Sequence, residues 1–148
     1  MSDRKKAADD PKKAAPGFFP ALAAGDAVSF LVFAALGRAE HQTGLGLLQI
    51  IVTALPFMAA WYPVALWLRA FKPAAVASPL AAAKSIVLPW LLAWPLGLQV
   101  RALLLDRTIP FSFAAVVFAT NLVLLAAWRS TYAFYLGRRA ESAGGRGG

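Results

Sequence analysis

Residues 18–37 read FFPALAAGDAVSFLVFAALG, an apolar run whose one charged position is Asp26. A helix needs about 20 largely apolar residues to cross the hydrocarbon core of a bilayer, and this run has that length. Three more follow, at 47–68, 84–105 and 111–135. Barrel strands are about 10 residues long and alternate in polarity, so continuous apolarity over these lengths selects helices. The fold class expected is all-α, an integral membrane four-helix bundle. Pro56 and Pro63 lie inside the second run, Pro89 and Pro95 inside the third. Each removes a backbone donor and bends a helix without ending it. Helices two and three are therefore expected to be kinked, with carbonyls near Val52, Ala59, Ser85 and Leu91 short of their usual donor.

Composition agrees. The chain is 59% hydrophobic with a mean hydropathy of +0.60, well above an ordinary soluble domain. One transmembrane domain is expected at 18–136, between a disordered basic tail at 1–17 and a flexible Gly/Arg-rich tail at 137–148. A charged start ahead of an apolar run also resembles a secretory leader. Asp26 within the run and the lack of a small-residue cleavage site favour a retained first helix. The absence of cysteine excludes disulfides and thiolate chemistry, and His41 is the single histidine. Neither a metal nor a cofactor is expected.

The net charge of +8 would suit a nucleic-acid partner, but the basic residues gather beside the ends of apolar runs. That placement sets membrane orientation. With four spans, twelve of the fifteen basic residues fall on the side shared by both tails and the 69–84 link; Arg38, Arg101 and Arg107 fall on the other. Both termini are expected in the cytoplasm. Phe18, Phe19, Trp67, Phe71, Trp128, Tyr132 and Tyr135 would sit near that inner boundary.

A charge near the middle of a membrane helix costs about 2.5–3.5 kcal/mol on insertion scales, so Asp26, Arg101 and Arg129 each need a partner or a task. Helical rise puts Asp26 about 12 Å, and Arg129 about 9 Å, from the same membrane face. Opposite signs at one depth predict an intramembrane pair joining helices one and four. Arg101 lies in the outer half of helix three, with Glu40, Asp106 or unbonded carbonyls as expected neighbours. Arg38, Glu40, His41 and Arg101 make up an outer polar cluster, and a solvated turn competes there with a ligand-contacting rim. Asn121, Gln49, Thr53, Ser29 and Gln99 are expected to hydrogen-bond between helices, at about 0.6 kcal/mol each. Small residues at Ala23, Gly25, Ala27 and Ser29 favour close helix contact. Trp90 and Trp94, one turn apart, are expected to pack.

With these residues in view, the chain resembles the domain-of-unknown-function family 3054, small prokaryotic membrane proteins. The likeness runs through Gly25-Asp26, Gly37-Arg38 with His41, Thr53 with Pro56-Phe57, Pro95-Leu96-Gly97 with Arg101, Pro110 with Phe113, and Trp128-Arg129 with Tyr132. It implies a four-helix protein of a prokaryotic plasma (inner) membrane and supplies no activity. No nucleophile–base–acid set and no phosphate loop is present, so an enzyme is not expected. The favoured function is a non-enzymatic accessory or structural membrane component. Its partners would be the lipid bilayer and a membrane protein or second copy of the chain. The alternative is a small transporter or channel with a polar path lined by Asp26 and the intramembrane arginines. A lipid-modifying enzyme ranks last.

Overall fold

A computed structural model describes residues 17–40 and 46–144, with the backbone alone at Glu40, Ala143 and Gly144. The helices are α1 (Phe18–Glu40), α2 (Leu47–Trp67), α3 (Pro79–Leu105) and α4 (Phe111–Gly144), with a short 3-10 turn at Pro73–Val76. All four are long and apolar enough to cross a membrane. Only 22–33% of the most apolar window of each helix is buried inside the bundle. The rest turns outward, with Leu103 81% and Phe111 83% exposed. Water does not tolerate so large an apolar exterior; a bilayer does.

Each helix packs against its sequence neighbours, and α4 closes the ring by packing against α1. Both α2 and α3 run through their prolines as continuous helices. Inside the ring, Phe30, Trp61 and Trp90 meet in a triangle with centroids 5.7–6.2 Å apart. All three are fully buried. Elsewhere α3 comes so close to α2 that a Cβ on Gly97 would lie 2.7 Å from Phe57 Cδ1 and 3.2 Å from its Cα.

Two helix ends differ from the sequence expectation. α3 starts at Pro79 rather than Lys84, because Ser78 caps it: Oγ accepts from the Ala81 N–H at 3.1 Å, and Pro79 takes the first turn. α4 continues to Gly144, where a flexible tail from 137 was expected. Gly137 costs only about 1 kcal/mol relative to alanine. Favourable contacts straddle it: the Arg138 guanidinium lies 5.5 Å from the Phe134 ring and that of Arg139 4.8 Å from Tyr135.

Candidate functional site

Asp26 shares a stripe of α1 with Leu22, Phe30 and Phe33, spaced at helical repeats and all buried. Arg129 shares one of α4 with Val117, Asn121, Leu125 and Ala133, also buried. Helical periodicity thus carries both charges inward with their apolar neighbours. They meet as a forked pair. Arg129 Nε donates to Asp26 Oδ1 at 3.0 Å and Nη2 to Oδ2 at 2.6 Å, and both side chains are 0% exposed.

Two further elements complete this cluster. Trp61 of α2 donates its indole N–H to Asp26 Oδ2 at 3.0 Å. Arg129 Nη1 donates to the Ala70 carbonyl at 2.7 Å. That carbonyl follows Arg69, whose φ of 60° folds the chain back after α2, with the Ala70 N–H bonded to the Ala65 carbonyl at 2.8 Å. The guanidinium is also flanked by Trp61 and Phe71, at 5.4 and 4.9 Å from the ring centroids. Tyr62 donates to the Ala23 carbonyl at 2.7 Å and stacks on Phe71. So α1, α2, α4 and the link after α2 converge on one ion pair. Beside it Gly25 faces Trp128, whose indole fills the space a Cβ would occupy.

The sequence missed Trp61, Ala70 and Phe71 as members of this cluster. Trp61 carried a usable signal, because an indole N–H within an apolar run needs an acceptor. A backbone carbonyl such as Ala70 carries none. The expectation of interhelical hydrogen bonds from the scattered polar residues fails for three of them. Ser29 donates to Gly25, Thr53 to Gln49 and Asn121 to Val117, each four residues back in its own helix. In hydrocarbon the nearest carbonyl is the preceding turn, which is always in place. Ser130 does cross between helices, donating to the Pro79 carbonyl at 3.0 Å. Trp90 and Trp94 pack, and also donate from α3 to the Phe118 and Ala114 carbonyls of α4. Asn121 Oδ1 and Trp128 Nε1 are buried without a partner among the described residues.

At the end of the bundle bearing the α1–α2 and α3–α4 connections lies a cavity of about 680 Å³. Arg38, Arg101 and Arg107 line it with Thr53 and Ser112. The Arg101 guanidinium sits over the Phe113 ring, 4.9 Å from its centroid. Of the expected outer cluster, Arg38 and Arg101 are thus brought to one cavity. His41 and the Glu40 side chain lie outside the described residues. Among the described residues Arg101 meets the Phe113 ring and shares the cavity with two further arginines. The chain turns sharply at Asp106, in the left-handed region with φ 48°, and thereby brings Arg107 to the cavity.

The family model described as Protein of unknown function (DUF3054) matches residues 23–132. The matched segment holds both members of the ion pair and every residue lining the cavity. No curated protein and no solved structure matches the chain.

Proposed function

This chain belongs to the DUF3054 family, and we propose that it is a non-enzymatic accessory or structural component of a prokaryotic plasma membrane. Its working surface is the outside of the bundle, not a path through it. The observation that carries this reading is the saturation of the central charges. Asp26 and Arg129 are fully buried, and each of their side-chain polar atoms has a partner. A group that relays protons or passes ions needs access to water and a second arrangement of partners. Asp26 has three donors fixed by two other helices, α2 and α4, which suits a fastening better than a relay.

Both chain ends are proposed to be cytoplasmic, from the twelve basic residues expected on that side. Arg138 and Arg139, two of those twelve, lie on the extension of α4. The prolines of α2 and α3 are proposed to bend those helices around the aromatic core.

The full chain, reconstituted in vesicles carrying a pH-sensitive dye, should pass no proton or ion flux under an imposed gradient. Extracted from its native membrane in mild detergent, it should migrate as a defined assembly larger than one chain. A flux abolished by Asp26→Asn in a protein that still folds would instead establish the transporter reading.

A further inference from the structure

The cavity at the α1–α2 end has the makings of an anion site independent of the central pair. Arg101 lies four residues before the end of α3, about 6 Å of helical rise. A partly buried guanidinium at that depth requires compensation. Phe113 supplies a ring face at 4.9 Å. The described residues supply Arg101 with neither a carboxylate nor a hydrogen-bond acceptor. Arg38 and Arg107 face the same space, and no described lining residue is acidic. Arg101 and Arg107 bring like charge to one cavity, and an anion between them would offset their repulsion.

The start of α4 adds to the same field. Ser112 and Phe113 belong to its first turn, where backbone N–H groups lack intrahelical acceptors and the helix dipole is positive. The cavity also opens sideways. Val116 lines its wall and is 59% exposed on the apolar exterior. An anion with a hydrocarbon tail could therefore seat its head among the arginines while the tail stays in the bilayer.

We propose that Arg101 and Arg107, with the Ser112 end of α4, bind an anionic phosphate group in the cavity that Arg38 also lines. Planar guanidinium forks match phosphate oxygens, and Arg101 already stands over the Phe113 ring. The same chemistry is offered by the headgroup of an acidic phospholipid and by free phosphate.

The test uses the full chain in mild detergent and follows thermal unfolding and native mass spectra. Phosphatidylglycerol, phosphatidylcholine and inorganic phosphate are added separately. The expected result is saturable stabilisation and one retained phosphatidylglycerol, with phosphatidylcholine giving neither. Arg101→Gln with Arg107→Gln should weaken that binding about tenfold or more, and Arg→Lys at both positions should keep part of it. If the double glutamine variant does not fold, Arg107→Gln alone at its exposed position serves, with a smaller loss. Stabilisation by inorganic phosphate alone, lost in the same variants, assigns the site to a free anion. Phosphatidylglycerol binding that survives the glutamine changes, or is matched by phosphatidylcholine, overturns the proposal.

Discussion

Asp26 and Arg129 stand 103 positions apart and meet through two parallel hydrogen bonds of 3.0 and 2.6 Å, with no exposed surface on either side chain. This contact ties the first helix to the last. Trp61 and the Ala70 carbonyl fix its orientation, because one donates only to the carboxylate and the other accepts only from the guanidinium. The pair therefore has a direction as well as a charge balance.

That direction governs what exchanging the two charges does. With Arg at 26 and Asp at 129, the Trp61 N–H would face a cation and the Ala70 carbonyl a carboxylate. Each single change is expected to cost about 3–5 kcal/mol, because it strands a buried charge. The exchanged protein should recover little of this. Unfolding midpoints in detergent, read beside the single variants, check it.

Trp61→Phe keeps the ring and removes the indole donor. Asp26 loses one of its three donors, so a loss of about 1.5–3 kcal/mol is expected, as for a hydrogen bond to a charged group. Trp90→Phe removes a bond to a neutral carbonyl, Phe118 O, and should cost less, about 0.5–1.5 kcal/mol. Chemical denaturation of both variants gives the comparison.

Glycines in the helices should respond oppositely to alanine. A Cβ at Gly25 collides with the Trp128 indole, whereas nothing lies within 4 Å of one at Gly137. Gly25→Ala is expected to lose about 1–3 kcal/mol through overpacking. Gly137→Ala should gain about 0.5–1 kcal/mol and raise helix content at the end of α4. Circular dichroism melts would show the two signs.

Asn121 spends its amide on the Val117 carbonyl and leaves Oδ1 buried without a partner. Replacing both halves of a poorly satisfied polar group by a similar apolar shape is near neutral or stabilising. Asn121→Leu should therefore match or exceed the wild-type midpoint. A drop of several degrees would mean that Oδ1 is engaged in the membrane.

The sequence reading reached the four helices because hydrocarbon demands long apolar runs with internally satisfied backbones. It reached the partnership of Asp26 with Arg129 because depth and sign restrict the choices. It stopped where contacts involve backbone or the far ends of side chains. The Ala70 carbonyl turns inward only because Arg69 adopts φ 60°, and nothing about an arginine announces that. In sequence Arg107 is only one of three basic residues on the outer side, and the left-handed Asp106 before it is what brings it to the cavity. Residues behind the family resemblance acquire a physical sense in pairs: Gly25 admits Trp128, Asp26 holds Arg129, Gly97 admits Phe57, and Arg101 lies on Phe113.

The central claim is that the buried pair holds the bundle together as a unit, and a double-mutant cycle measures that coupling. Stability of Asp26→Asn, Arg129→Met and the double variant would be compared with wild type in one detergent. The double variant is expected to be more stable than the sum of the single losses predicts, by about 2–3 kcal/mol, because removing both charges leaves neither stranded. Additive losses, within about 0.5 kcal/mol, would contradict the account.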